Sequence, residues 1–240
     1  MKIGIIVAIK DEANILAKAL NLSMKVDTNS TCFIYTSESI VMVVPGEDKN
    51  FLTYNVSPVG RPGKVSAGIA TTLLIERYNP DVIINCGTAA GIASKGIEIG
   101  DIIVADYVAN HDIHIPLPGY DRYGERKIAM SKLDIFKNIQ FPYKIGTVSS
   151  AESFTSSDKE WKVMKKNDVI AKEMEAAGVI QATQILGFTK SIYVIKALTD
   201  KEEPTTSDDN QASDFSLNFE IAMNNLASFI TEFVKILLKV

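Results

Sequence analysis

Acidic side chains at three separated places are the residues of this chain best suited to moving protons. Glu12 stands in Lys10-Asp11-Glu12-Ala13, just after the first apolar run. Glu173-Met174-Glu175 follows the short run Val169 to Ala171, and Asp200 closes the run Tyr193 to Thr199. Carboxyl groups serve as general acids, as general bases and as counter-charges to a developing cation. Taken alone, Glu12 is equally explained as a favourable charge in the first turn of a helix. The common feature is position: all three segments put acids where strands end, and ligands of open α/β sheets gather outside the carboxyl ends of strands.

Other chemistries are less well supplied. His111 and His114 are the only histidines, and neither cysteine lies near them in sequence to complete a zinc site, so no metal is expected. No serine occupies a Gly-x-Ser-x-Gly turn. The stretch Gly60-Arg61-Pro62-Gly63-Lys64-Val65-Ser66 resembles a phosphate-binding loop only in part. The first glycine of that pattern would fall at Pro58, and Val65 follows Lys64 where Ser or Thr is required. These glycines are better read as a tight turn into a helix whose small residues Ser66, Ala67, Gly68 and Ala70 allow close packing.

The elements that must position the acids follow from hydrophobic periodicity. Nearly continuous apolar runs at Ile3 to Ile9, Ile40 to Val44, Val82 to Cys86, Ile102 to Val104 and Ile192 to Ile195 predict strands buried on both faces. Helical spacing predicts helices from about Lys64 to Tyr78, stopped by Pro80, and from Ala176 to Leu186, closed by Gly187. A last helix is predicted from about Asp214 onward. Residues 46 to 63 and Lys201 to Asp214 read as long loops, the second with the composition of a surface segment or a lid. Alternating strands and helices predict an α/β fold, helices covering both faces of a mixed sheet, in one domain over residues 1–240.

Composition narrows the partners. The 240 residues are 46% hydrophobic with a net charge of −4, which offers no basic footprint for nucleic acid and suits a small neutral substrate. Two cysteines, Cys32 and Cys86, are too few for a disulfide framework. No stretch has the uninterrupted apolar length of a membrane span. The expectation is a soluble cytoplasmic protein.

Several blocks carry a family likeness over nearly the whole chain. They are Lys2-Ile3-Gly4-Ile5-Ile6 with Glu12, Pro80 to Gly91 ending in Gly87-Thr88-Ala89-Ala90-Gly91, Gly100 to Val104, Val148 to Phe154, Glu173-Met174-Glu175-Ala176-Ala177 and Lys196 to Asp200. In order, they resemble the methylthioadenosine/S-adenosylhomocysteine nucleosidases of the nucleoside phosphorylase superfamily. His111-Asp112-x-x-Ile115-Pro116-x-Pro118, followed by Tyr123-Gly124, is more similar to the plant branch than to the common bacterial form.

The resemblance implies a three-layer α/β/α sandwich with a central mixed sheet, and hydrolysis, without a cofactor, of the N-glycosidic bond of 5'-methylthioadenosine in methionine salvage, with S-adenosylhomocysteine and 5'-deoxyadenosine as further candidate substrates. It makes Asp200 the acid that protonates the leaving adenine, Glu12 the base that activates water, and Glu175 the carboxylate that holds the ribose hydroxyls. Met174 would line the sugar, Phe154 stack on adenine, the Thr155 backbone read the purine edge, and Thr88 stand near sugar and water. Glu173 and Thr199 are further substrate-binding positions. In the family a homodimer partner completes the pocket for the 5' group, and Ile115, Pro116 and Leu117 occupy that place here. Three alternatives stay open: a phosphate-dependent phosphorylase, a futalosine-type nucleosidase, and a non-catalytic nucleoside-binding protein.

Overall fold

A computed structural model describes residues 1–25, 30–53 and 57–239. The chain runs β1 (Ile3–Ile6), α1 (Lys10–Ala19), β2 (Ser23–Lys25), β3 (Phe33–Thr36), β4 (Ile40–Val44), β5 (Glu47–Leu52), β6 (Pro58–Gly60), α2 (Lys64–Tyr78), β7 (Val82–Ile92) and β8 (Ile102–Asn110). It continues through α3 (Tyr120–Gly124), β9 (Lys127–Ala129), β10 (Lys144–Ser150), α4 (Asp158–Lys166), β11 (Val169–Glu173), α5 (Ala176–Ile185), β12 (Ser191–Glu202) and α6 (Asp208–Leu237).

The main sheet has the order β11-β10-β8-β12-β7-β1-β4-β3-β2, with β9 alongside β8. It is mixed: β1 lies parallel to β4 and β7, and β7 parallel to β12, whereas β12 and β8 are antiparallel. At its far end the sheet curls until β11 meets β7 again, with Lys172 opposite Ala90. Side-chain alternation along β1 sorts the two faces. Ile3, Ile5 and Val7 pack with Leu16 of α1 and with Leu226, Phe229 and Phe233 of α6. Ile6 packs with Ala67, Ala70 and Leu74 of α2 and with Val179 of α5. Each fully buried side chain of this kind contributes roughly 1.5–3 kcal/mol, and the central strands bury both faces, which is why they read as continuous apolar runs.

The small residues at the start of α2 have a packing reason. A Cβ on Gly178 of α5 would lie 2.2 Å from the Lys64 carbonyl oxygen, so the two helices cross at a separation only glycine permits. Gly187 takes the positive φ of 65° expected of a residue just past a helix.

Two predicted loops are corrected. Residues 46 to 63 contain a separate β5–β6 antiparallel pair, with 54–56 outside the described residues. Lys201 to Asp214 is mostly regular structure: β12 extends to Glu202 and α6 opens at Asp208. Ser207 caps α6 by accepting from the Asn210 N–H, and Asp208 and Asp209 sit in its first turn. The polar run is therefore a helix start, where Ser caps and acids oppose the helix dipole. Among the described residues, no helix is long and apolar enough to cross a membrane.

Candidate active site

The carboxyl ends of β1, β7, β11 and β12 open onto a cavity of about 250 Å³. Glu12 reaches it from α1, Thr88 from β7, Glu173, Met174 and Glu175 from the end of β11, and Thr199 and Asp200 from β12; Phe154 comes from the segment after β10. A β-bulge between Leu198 and Asp200, where β12 runs beside β7, places Thr199 and Asp200 together on the cavity wall instead of on opposite faces of the sheet.

Glu12 is buried, and its Oε1 accepts from the Thr88 N–H at 2.8 Å and from the Thr88 hydroxyl at 2.7 Å. Its Oε2 accepts from the Ile9 N–H at 3.4 Å, the acidic half of a capping box. A Cβ on Gly87 would stand 3.0 Å from Glu12 Oε1, so the glycine leaves room for the carboxylate. Asp200 is 1% exposed. Its Oδ1 accepts from the Thr199 hydroxyl at 2.7 Å, and Oδ2 meets no hydrogen-bond partner among the described residues. Burial pushes its pKa up to about 6, against the opposing pull of the Thr199 hydroxyl and the Lys172 charge.

Glu175 accepts from the Gly63 N–H at 3.0 Å and faces the Lys196 ammonium at 3.6 Å. Burial raises its pKa to about 7; Lys196 opposes the rise, while Glu173 and Glu12 add to it. Glu173 behaves differently although it is equally buried. Burial pushes it up, but Lys196 at 2.7 Å, the Ser150 hydroxyl and the Ala176 N–H hold it below the usual carboxylate range. Lys196 in turn is lowered by burial and raised by the two carboxylates, and the carboxylates prevail.

Glu173 has a structural role beside its place in the cavity. It lines the cavity, yet its oxygens are engaged by Ser150, by Lys196 and by the N–H groups of Glu175 and Ala176, so it caps α5 and fixes Glu175. Thr155 is half-buried beside Phe154 and is not part of the cavity lining. Ile115, Pro116 and Leu117 do not line it either, and Leu117 is 56% exposed. The chain leaving β8 is held elsewhere: the Asp112 carboxylate binds Lys64 of α2 at 2.5 Å and accepts from the Glu152 N–H at 2.8 Å. His111 is buried too, shares a hydrogen bond with Ser149 at 2.9 Å, and is driven by burial to a pKa of about 4.

Among the lining or supporting residues not anticipated are Lys172, Lys196, Gln211 and Phe215. The lysines carried a signal, because a lysine inside a run buried on both faces requires acidic partners. Gln211 and Phe215 carried none; α6 brings them across the sheet, where Phe215 meets Phe154 edge to face at 6.1 Å.

Mixed sheet, flanking helices and a pocket of buried acids at strand ends define a class that comparison makes specific. The model of the phosphorylase superfamily matches residues 2–235. A 5'-methylthioadenosine/S-adenosylhomocysteine nucleosidase of Buchnera aphidicola is 31% identical over 243 residues, covering 96% of each chain. One of the same description from Arabidopsis thaliana is 34% identical over 205 residues, covering 81% of this chain and 76% of the relative. The apo structure of Arabidopsis thaliana 5'-methylthioadenosine nucleosidase superposes with a TM-score of 0.87 at 26% identity, over 98% of this chain and 95% of that one. The chain belongs to the 5'-methylthioadenosine/S-adenosylhomocysteine nucleosidase family of the phosphorylase superfamily.

Proposed function

We propose that this protein hydrolyses the N-glycosidic bond of 5'-methylthioadenosine, releasing adenine and 5-methylthioribose. The observation that carries the reading is the convergence of buried Glu12, Glu175 and Asp200 on one cavity, each in a different electrostatic setting. Glycosidic cleavage builds positive charge on the ribosyl ring and negative charge on the departing purine, so it needs anions at the sugar and an acid at the base.

Asp200 is the acid. With a pKa near 6 it holds its proton in a useful fraction of molecules near neutrality, and its unpartnered Oδ2 is the atom that delivers the proton to N7. Glu12, aligned by Thr88, takes a proton from the attacking water as oxygen bonds to C1' and the C1'–N9 bond breaks. Glu175 receives the ribose hydroxyls beside Met174, Phe154 stacks on the purine, and the Thr155 backbone reads its edge. Thr88 and Thr199 complete the polar lining. We further propose a cytoplasmic homodimer acting in methionine salvage, in which Ile115, Pro116 and Leu117 of one copy close the 5' end of the other's pocket. The chain acts as a single nucleoside phosphorylase-like unit.

Among the described residues, the phosphorylase alternative finds no uncommitted cation for phosphate: Lys172 lines the cavity, but its ammonium is engaged by Phe154, Ser156 and Glu202. Arg61 faces Asp48 at 3.5 Å and Lys64 is paired with Asp112, and neither lines the cavity. Adenine release from 5'-methylthioadenosine, measured with and without phosphate, tests the reading. Equal rates in both are expected; strict dependence on phosphate would sink it.

A further inference from the structure

We infer that Lys172 is a positioning residue for purine recognition, pinning the backbone of the Phe154–Ser156 segment while Glu202 anchors it from behind. The inference rests on the nucleosidase reading and extends it to a residue of the cavity wall that the reading gives no role.

Lys172 is 4% exposed and its ammonium has three donors, all engaged. They go to the Phe154 carbonyl at 2.5 Å, the Ser156 hydroxyl at 3.0 Å and the Glu202 carboxylate at 2.7 Å. Burying an ammonium carries a desolvation penalty that good geometry and satisfied donors must offset. The ammonium's use lies in the segment it grips. Residues 153–156 lie between β10 and α4 outside any strand or helix, so side chains must hold this backbone in place. On the far side Ser157 caps α4 by accepting from the Glu160 N–H. The Phe154 carbonyl takes a second donor, Gln211 Nε2 of α6 at 3.3 Å. A trans peptide is planar, with C=O and N–H pointing in opposite directions, so fixing the Phe154 carbonyl fixes the direction of the Thr155 N–H. Lys172 therefore sets both the stacking ring and the adjacent edge-reading backbone through one peptide plane.

The distinguishing measurement is base discrimination, since a merely structural role lowers activity on every nucleoside alike. We would determine kcat/KM for 5'-methylthioadenosine and for its 6-oxo counterpart 5'-methylthioinosine with wild type, Lys172→Met and Glu202→Gln. Lys172→Met keeps the stem length and removes the donors; Glu202→Gln keeps the shape and weakens the anchor. The ratio of the two kcat/KM values is expected to fall at least tenfold in Lys172→Met and at least threefold in Glu202→Gln. A ratio within twofold of wild type in folded Lys172→Met overturns the inference. If that variant does not fold, the same result in Glu202→Gln overturns it. Wild type that hydrolyses neither nucleoside refutes the nucleosidase reading, and the inference falls with it, a failure visible without either variant.

Discussion

Replacing Asp200 by Asn should abolish most activity and at the same time make the protein more stable above neutral pH. The amide keeps the shape and can still accept from the Thr199 hydroxyl, which now bonds Asp200 Oδ1 at 2.7 Å. It cannot donate an acidic proton, and loss of a positioned general acid costs about 10²–10⁴ in kcat. The stability gain follows from the raised pKa of about 6 against the usual 3.8. A carboxyl group whose folded pKa lies above its unfolded value stabilises fully below the unfolded pKa, and that contribution is lost as pH rises through the folded one. At pH 8 wild type has therefore lost roughly 3 kcal/mol that the neutral amide does not lose, and at pH 5 about half as much. For a chain of this size each kcal/mol moves Tm by roughly 2–4 °C, so the variant's advantage should grow by about 3–6 °C between pH 5 and pH 8. Thermal melts at the two pH values, run beside an adenine-release assay, read both effects. A Tm difference that does not change with pH, or hydrolysis within threefold of wild type, would refute the reasoning.

The other acids should separate by kinetic signature. Glu12→Gln is expected to lower kcat by two orders of magnitude or more with adenine affinity unchanged, and an adenine titration beside steady-state kinetics checks this. Glu175→Gln should raise KM as well as lower kcat, because it removes the sugar contact; an unaltered KM would contradict that role. Lys196→Met leaves Glu173 and Glu175 buried without their shared cation, and breaking a buried ion pair in this way costs about 3–5 kcal/mol, readable by denaturant unfolding at pH 8. Unfolding at the wild-type denaturant midpoint would mean that the two carboxylates find other compensation.

Much of the fold was legible because its strands bury both faces and its helices bury one. Ile40 to Val44 and Lys64 to Tyr78 were bounded as observed, since apolar content begins and ends with the element. The start of α6 was missed because its first turns are polar and acidic, a pattern shared by loops and helix N-termini. The hairpin within 46 to 63 was missed because Glu47–Leu52 has only half-buried or exposed side chains and no inward face to impose alternation.

Residue types and places at strand ends made Glu12, Glu175 and Asp200 one grouping among others, since parallel strands deliver their carboxyl ends to one edge, and the family likeness of their blocks singled that grouping out. Tertiary structure alone decided the electrostatic setting of each acid. Glu173 and Glu175 lie two residues apart in one apolar setting, yet Glu173 falls at the N-terminus of α5 against Lys196 and stays charged, while Glu175 meets fewer donors and is driven toward neutrality. A pKa depends on the groups within a few ångströms of the carboxyl oxygens, and besides the local N–H groups of Glu175 and Ala176 these come from Gly63 before α2, Ser150 of β10 and Lys196 of β12, distant in sequence.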